Sequence, residues 1–228
     1  MKILDRAFFD RPTLLVAEEL LGMLLVHDHP QDGRLAGRIV ETEAYTADDP
    51  AMHGWKATFG NDGRVLPQGR AKDLFAPPGT SYVYRVYRTS WLLNVVTEAE
   101  GTAGAVLIRA VEPVMGEEAM TPRRPAARRR RDLTNGPGKL TQAFDIDEKA
   151  FHGLDLTRPP LFFAHGTPHR QSDARGLAEI ATSSRIGLSR GIERPWRFFF
   201  AGHPFVSPGV PSDVRVARKT KRGGARTP

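Results

Sequence analysis

Two carboxylates and a phenol stand at alternate positions in one short run of the sequence, from Gly37 to Tyr45. They belong to Glu41, Glu43 and Tyr45. Successive side chains of an extended segment point to opposite faces, so these three would share one side of a strand. Such a cluster could carry catalysis, with a carboxylate acting as a base. The same alternation is also typical of a half-buried strand whose acids form its solvated face.

Other kinds of chemistry find little support. The sequence has no cysteine, which excludes disulfides, thiolate zinc sites and cysteine nucleophiles. Its seven histidines show no metal-binding helix motif. His27 and His29 could share one face of a strand, but a position at the edge of a turn is favoured. Residues 136–141 echo a phosphate-binding loop, but Leu133 occupies the position of a required glycine. We therefore predict neither a metal nor a cofactor.

The pattern around the carboxylates predicts the elements that position them. Residues 10–22 carry an apolar stripe at helical spacing, with Pro12 near the first turn and Gly22 at the end. Residues 23–26 are typical of a strand, and a turn at residues 31–33 would pair that strand with the Glu43 strand as a hairpin. The carboxylates would then lie on a sheet braced by a helix.

Further strands with short connections follow. They span residues 81–87, 91–97 and 105–111, with residues 88–90 as the tip of a hairpin. Short connections favour an antiparallel sheet over a parallel one. The remaining predictions are irregular loops at 51–78 and 122–131, helices at 112–120 and 137–144, a buried strand at 194–201 and a frayed terminus beyond Val206.

The composition indicates a basic globular protein. With 228 residues, 40% of them hydrophobic, the chain can form one domain or at most two. A formal charge of +7 and a pI near 10.0 favour an anionic partner, although much of the excess sits in arginine-rich runs that are often solvated. The first residues have no apolar signal core and no uncharged stretch approaches membrane-spanning length, so we expect a cytoplasmic protein without a membrane partner.

Several short motifs occur together and in order. The run from Glu41 to Tyr45, followed by His53, resembles the signature of the alkyladenine (3-methyladenine) DNA glycosylase family. The other matching pieces are Pro77–Gly79, Tyr82–Tyr84, Tyr87, Leu93–Thr97, Val106–Pro113, Leu133–Leu140, Arg185–Gly187, Pro195–Phe198 and Val206–Ser207. Each piece consists of common residues, but their shared order over nearly the whole chain is hard to produce by chance.

The resemblance implies an α+β fold, with a curved antiparallel sheet and surrounding helices. We expect one glycosylase domain over residues 1–208 and a basic, flexible tail over residues 209–228. The implied activity is that of a monofunctional N-glycosylase of base excision repair, which flips damaged purines out of double-stranded DNA and excises them with water alone. The implied substrates are 3-methyladenine, 7-methylguanine, hypoxanthine and ethenoadenine. A monomer associated with the nucleoid is expected.

The resemblance also implies roles for individual residues. Glu43 matches the family's catalytic residue and would activate the water that attacks deoxyribose C1′, while Glu41 is expected to be a structural acid. Arg109 matches a residue near that water, although an ion pair on the sheet surface would also explain it. The residues that match the base pocket are Tyr45, His53, Tyr84 and Asn94.

DNA contacts follow from the same comparison of motifs. Tyr87 matches the residue that intercalates at the hairpin tip, and Arg88 and Lys139 are expected to contact the DNA backbone. The sequence departs from the family here, because residues 88–91 replace the usual Gly-Met followed by an aromatic residue or histidine. Residues 54–63 form a longer connection than is typical, so no role is carried over to them and the preferred purine stays open.

Two other functions agree with parts of the sequence. A non-catalytic module that binds damaged DNA or RNA would keep the basic surface, but such a module would be expected to have lost Glu43. An enzyme acting on small nucleosides would need neither Tyr87 nor the basic tail.

Overall fold

One eight-stranded antiparallel sheet organises the protein. The computed structural model describes residues 1–53, 69–86, 90–166 and 179–223, without the side chains of residues 69–71 and 218–223. The strands are β1 (Leu24–His29), β2 (Gly33–Thr46), β3 (Ser81–Val86), β4 (Ser90–Val96), β5 (Gly104–Met115), β6 (Leu161–Ala164), β7 (Ile180–Ser183) and β8 (Arg197–Phe200). The helices are α1 (Arg6–Phe9), α2 (Thr13–Glu19), α3 (Glu117–Arg123), α4 (Pro137–Ala143), α5 (Glu148–Phe151) and α6 (Ser212–Gly223), with 3₁₀ segments at Gly69–Phe75 and Arg130–Leu133.

Strand β2 lies at the centre of the sheet. The strand order is β3-β4-β5-β2-β1-β6, and β8 pairs with both β2 and β7. Along one edge, residues 33–38 of β2 pair with β1, and residues 41–43 pair with β8 after β1 has ended. Along the other edge β2 pairs with β5. The sheet curls around this strand, which confirms the predicted α+β fold with a curved antiparallel sheet.

The pairing of β2 with β5 is irregular next to the two glutamates. The register skips Val40 on β2 and Arg109 on β5, so each is an extra residue with no partner directly opposite. A β-bulge bends its strand and changes the direction of a side chain. The two bulges therefore place the side chain of Arg109 beside the acids of β2.

The predicted hairpin and its bracing helix are both present. His29 of β1 pairs with Gly33 of β2 across the turn. Helix α2 packs on β2, and the hydroxyl of Thr42 donates to the carbonyl oxygen of Ala17 at 2.7 Å. The helix is shorter than predicted because it begins at Thr13, directly after Pro12.

The helix predicted over residues 112–120 is wrong in its first half. Strand β5 continues to Met115, which pairs with Ala36, and α3 begins only at Glu117. Gly116 separates the two elements with a left-handed φ of 76°. A β-carbon at this position would lie 2.5 Å from the Leu35 side chain, so the close approach of strand and helix requires glycine.

The two histidines lie on one strand, and His29 ends that strand at the turn, so each of the two expectations for them is met in part. His27 and His29 lie within β1 and are buried, with ring centroids 5.1 Å apart. The Nδ1 atom of His27 donates to the carbonyl oxygen of Phe144 at 2.8 Å. Burial lowers the pKa of His27 below its ordinary value. These contacts assign His27 to the packing of the sheet against the end of α4.

The frayed terminus predicted beyond Val206 contains a helix instead. The first turn of α6 is tied to the rest of the fold, since the Ser212 hydroxyl accepts from the backbone N–H of Leu188 at 2.9 Å. The hydroxyl of Ser184 donates to Asp213 at 2.5 Å. The division at residue 208 and the flexibility of the tail remain predictions.

Candidate functional site

Glu43 is fully buried in the second half of β2. Its Oε1 atom accepts a hydrogen bond from the backbone N–H of Ile186 at 2.7 Å. Its Oε2 atom accepts one from the Tyr45 hydroxyl at 2.8 Å. The Nη1 atom of Arg109 lies 3.1 Å from Oε1. The alternative of a solvated acidic face is therefore wrong for this strand.

Glu41 is buried next to Glu43 and is bound by several donors. The Nε atoms of Arg109 and Arg197 each lie 2.7 Å from its Oε1 atom. Ser207 adds its hydroxyl at 2.8 Å to Oε1 and its backbone N–H at 2.6 Å to Oε2. A carboxylate offers about four acceptor positions. The carboxylate of Glu41 is thus occupied by these contacts, as suits a structural acid.

Burial and neighbouring charges shift the pKa values of Glu41 and Arg109 in opposite directions. Burial works to raise the pKa of Glu41, but the charges of Arg109 and Arg197 and the donors from Arg197 and Ser207 hold it below its ordinary value. Burial works to lower the pKa of Arg109, and the charges of Glu43 and Glu41 raise it overall. Both side chains are therefore charged at neutral pH, in a buried ion-pair network rather than a pair on the sheet surface.

Tyr45 connects Glu43 to the adjacent cavity. Its hydroxyl bonds to Glu43, and its ring is one wall of the cavity. Burial, followed by the charge of Glu43, raises the pKa of Tyr45 well above its ordinary value. The phenol is therefore protonated across the physiological range and acts as a hydrogen-bond donor to the carboxylate.

The four residues predicted for a base pocket line one cavity of about 30 Å³. Among the described residues, the lining consists of Tyr45, Ala51, Met52, His53, Leu74, Tyr82, Tyr84, Asn94 and Ala105. Glu43 is not part of this lining and reaches the cavity through the hydroxyl of Tyr45. The lining combines aromatic and aliphatic side chains with a few polar groups, which is the usual composition of a binding site for a small ring system.

The aromatic rings of the cavity support each other. His53 and Tyr84 meet edge to face with centroids 4.8 Å apart, and Tyr82 lies 5.2 Å from Tyr84. The Nδ1 atom of His53 is 2.7 Å from the Tyr82 hydroxyl, which sets the orientation of the imidazole. Asn94 is buried and donates from Nδ2 to the carbonyl oxygen of Tyr82 at 3.0 Å. This bond to a carbonyl fixes which end of the amide is the donor.

Of the predicted DNA-contacting residues the structure describes Lys139, which is not among the residues that line this cavity. Lys139 lies in α4, where its ammonium group donates to Asn135 at 2.7 Å. Burial, together with the charges of Arg124 and Arg129, lowers its pKa. Tyr87 and Arg88 lie outside the described residues, so their roles remain predictions from the sequence.

The sequence interpretation missed several residues that hold the site together. Arg197 and Ser207 bind Glu41, and Arg185 packs on the ring of Tyr45 with its guanidinium carbon 4.5 Å from the ring centroid. Each stands in one of the late motifs that carry the family resemblance. That position was the available signal, but it did not indicate which partner each side chain would bind.

The part of the chain that the structure describes contains neither a candidate metal site nor a candidate membrane-spanning helix. Over residues 1–53, 69–86, 90–166 and 179–223, no group of three or more histidine or acidic side chains could hold a metal ion. No helix in those ranges is long and apolar enough to cross a membrane.

Comparison with known proteins points to one family. Residues 7–204 match the family described as methylpurine-DNA glycosylase. A protein of Salinibacter ruber is 55% identical over 213 residues, covering 93% of this chain and 100% of the relative. Proteins of Chlorobium luteolum and Methanocella arvoryzae are 44% and 40% identical, covering 93% and 94% of this chain and 100% of each relative. All three carry the name "Putative 3-methyladenine DNA glycosylase".

Proposed function

The chain belongs to the methylpurine-DNA glycosylase family, and we propose that it excises alkylated and other damaged purines from double-stranded DNA, with Glu43 activating water at deoxyribose C1′. The proposed substrates are 3-methyladenine, 7-methylguanine, hypoxanthine and ethenoadenine. The observation that carries this assignment is the environment of Glu43, a buried carboxylate held by Tyr45, Arg109 and the N–H of Ile186 beside an aromatic cavity.

The hydrogen bonds of Glu43 leave room for a water molecule. Each carboxylate oxygen accepts about two hydrogen bonds. Oε1 is occupied by Ile186 and Arg109, whereas Oε2 is bound by Tyr45 and has capacity for one more donor. A water bound to Oε2 would give its proton to Glu43 as it attacks the sugar. The same carboxylate would stabilise the positive charge that the sugar develops as the base departs.

Arg109 would position both acids for this step. Its Nε atom binds Glu41, which is itself fixed by Arg197 and Ser207, and its Nη1 atom contacts Glu43. A planar guanidinium bound at two points has little freedom to rotate. Glu43 is therefore held in one orientation before substrate binds, which avoids the cost of ordering it during the reaction.

The cavity would receive the base after it leaves the duplex. Tyr45 forms one wall, and the paired rings of His53 and Tyr84 provide another aromatic surface. A volume of about 30 Å³ is small for a purine, so the lining has to open when the base enters. Base flipping of this kind is how enzymes reach an atom inside a stacked duplex.

An excision assay tests this function directly. Duplexes carrying one lesion each are incubated with the wild-type protein, and base release is measured under single-turnover conditions. The Glu43→Gln variant keeps the shape of the side chain but cannot accept a proton, so we expect no base release and lesion binding within about tenfold of wild type. Glu19→Gln is the matched control, because Glu19 pairs with Arg11 away from the cavity. Comparable excision by Glu43→Gln would refute the role of Glu43.

The same assay separates this function from the alternatives. A non-catalytic module would bind lesion duplexes without releasing any base. An enzyme of free nucleosides would release base from mononucleosides and would not require a duplex.

A further inference from the structure

The guanidinium of Arg185 lies against the aromatic ring of Tyr45. Its central carbon is 4.5 Å from the ring centroid, and 5.3 Å from the ring centroid of Trp196. The side chain is fully buried, and no step of the proposed hydrolysis uses it. A buried cation stacked on a cavity wall requires a structural or a functional explanation.

Several groups hold Arg185 in this place. Both of its Nη atoms bind the carboxylate of Asp49, with Nη2 at 3.0 Å from Oδ1. Nη1 donates to the carbonyl oxygen of Ala44 at 2.8 Å, and Nη2 donates to that of Gly191 at 3.2 Å. A β-carbon at Gly191 would lie 2.8 Å from Asp49 Oδ1 and 3.1 Å from Arg185 Nη2. The local backbone is thus shaped to accept this ion pair.

The guanidinium of Arg185 covers one face of the Tyr45 ring. Tyr45 is in the lining of the cavity, whereas Arg185 is not. An aromatic ring has two faces, so a base in the cavity would stack on the free face. Tyr45 would then stand between a fixed guanidinium and the incoming purine.

The bound guanidinium weakens the attraction between the Tyr45 ring and a positively charged purine. The face of an aromatic ring attracts a cation, but here one cation already occupies the ring. A purine stacked on the free face would lie about 8 Å from the guanidinium, given carbon contacts of about 3.5 Å on that side. At that distance two positive charges repel each other appreciably in a protein interior. Asp49 binds the edge of the guanidinium rather than the ring, so it offsets this repulsion only in part.

We propose that Arg185 is a specificity-determining residue that reduces the advantage of cationic alkylpurines over neutral damaged purines at the Tyr45 wall. Cationic purines here are those alkylated at N3 or N7, and neutral ones include hypoxanthine and ethenoadenine. The Arg185–Asp49 pair thereby narrows the difference in binding between the two classes. This inference rests on the proposed function, because it requires a purine to stack on Tyr45.

The test compares two lesions in the same variants. The double variant Arg185→Met with Asp49→Asn removes both charges together, which avoids a buried unpaired ion. We expect the ratio of single-turnover rates for 7-methylguanine over ethenoadenine to rise about three- to tenfold. The single variant Asp49→Asn leaves the cation uncompensated and should shift the ratio in the opposite direction. Arg194→Met is the control, because its guanidinium stacks on Trp196 at 4.3 Å and pairs with Asp48 rather than with Asp49.

If the double variant excises both lesions more slowly by the same factor, the proposal is overturned. Such a result would show that Arg185 only holds the Tyr45 ring in place. The failure of the proposed function looks different, because the wild-type protein would then excise neither lesion. If the variants do not fold, the wild-type protein still gives an answer. Its affinities for non-cleavable duplexes carrying the two lesions should agree within about tenfold, and a preference of about a hundredfold for the cationic lesion would contradict the proposal.

Discussion

The guanidinium of Arg109 bridges the two glutamates of β2, with Nε 2.7 Å from Glu41 Oε1 and Nη1 3.1 Å from Glu43 Oε1. The two carboxylates nevertheless differ in how many further hydrogen bonds they can accept. Glu41 is occupied by Arg109, Arg197 and Ser207, whereas Glu43 can accept one more donor at Oε2. The arginine therefore connects a carboxylate whose acceptor positions are occupied to one that can still accept a hydrogen bond.

Replacing Arg109 by lysine tests whether the positive charge alone is enough or whether the contact with both carboxylates is also needed. Lysine keeps the positive charge, but its single ammonium group cannot bind both carboxylates in the planar arrangement of a guanidinium. We expect single-turnover excision to fall by about a hundredfold, as for a small misplacement of a catalytic group. The control is Arg34→Lys, which alters an exposed pair with Asp28. Wild-type rates in Arg109→Lys would show that the bridge does not position Glu43.

Replacing Glu41 by glutamine should reveal its contribution to stability. Breaking a buried ion pair costs about 3–5 kcal/mol, because it leaves a buried charge without compensation. The folded-state pKa of Glu41 lies below its ordinary value of 4.5, so the unfolded chain binds a proton at this site at higher pH than the folded chain. The stabilisation is thus present above about pH 4.5 and is lost as the pH falls through the folded-state pKa.

Unfolding in urea at a series of pH values measures this difference. The free energy of unfolding of wild type minus that of Glu41→Gln should be large at pH 7 and should shrink below about pH 4. Glu19→Gln, at a partly exposed pair with Arg11, should change stability by less than about 1 kcal/mol. A difference between wild type and Glu41→Gln that does not depend on pH would exclude this linkage.

The sequence was sufficient to predict the central hairpin and the antiparallel sheet, and the family resemblance indicated four of the residues that line the cavity. Alternation and turn composition depend on local geometry, and they are therefore visible in a short segment. The sequence did not predict that Glu41 and Glu43 are both fully buried. Their burial depends on β8 and on Ser207, which reach β2 from more than 150 residues away.

The position of Arg109 could not be predicted from the sequence either, because it depends on contacts between distant strands. Its approach to both acids depends on bulges at Val40 and Arg109, where the β2–β5 register shifts. A bulge alters pairing between two distant strands and leaves no distinct local pattern. The short strands β6 and β7 were missed for a related reason, because four residues give too little alternation to identify.

The proposed intercalation by Tyr87 rests on the sequence, since residues 87–89 lie outside the described part of the chain. The Tyr87→Ala variant should bind a lesion duplex more weakly, because only a duplex has a gap that a wedge can fill. Binding to the same lesion in a single strand should change much less. Fluorescence anisotropy with both substrates checks this, and equal losses on both would show that Tyr87 is not the wedge.

The basic tail can be tested without disturbing its anchor. Ser212 and Asp213 tie the first turn of α6 to the fold, so removal of residues 217–228 leaves that anchor intact. This truncation should lower non-specific affinity for DNA and flatten its dependence on salt by about 0.9 for each phosphate that the tail neutralises. Removal of residues 224–228 alone, which carry only Arg226, is the control. An unchanged salt slope after the longer truncation would mean that the tail does not bind DNA.

The pH dependence of excision should differ between cationic and neutral purines. A purine alkylated at N7 is already positively charged and can leave without a proton donor. Its excision needs only an ionised Glu43, so the rate should rise with pH and then stay constant. Hypoxanthine is neutral and must be protonated as it leaves. Its excision needs both an ionised base and a protonated donor, which gives a rate that rises and then falls.

The structure restricts the identity of that donor. Burial raises the pKa of Tyr45 well above its ordinary value, so its phenol does not lose its proton in the accessible range and cannot produce the falling limb. The remaining candidates are His53, Tyr82 and Tyr84, whose side chains line the cavity, and water. Single-turnover rates for both lesions, measured across pH with the wild type and the Tyr45→Phe variant, test this assignment. The hypoxanthine profile should keep its falling limb in Tyr45→Phe, because that limb belongs to another group. Identical profiles for hypoxanthine and 7-methylguanine in the wild type would refute acid catalysis for neutral purines.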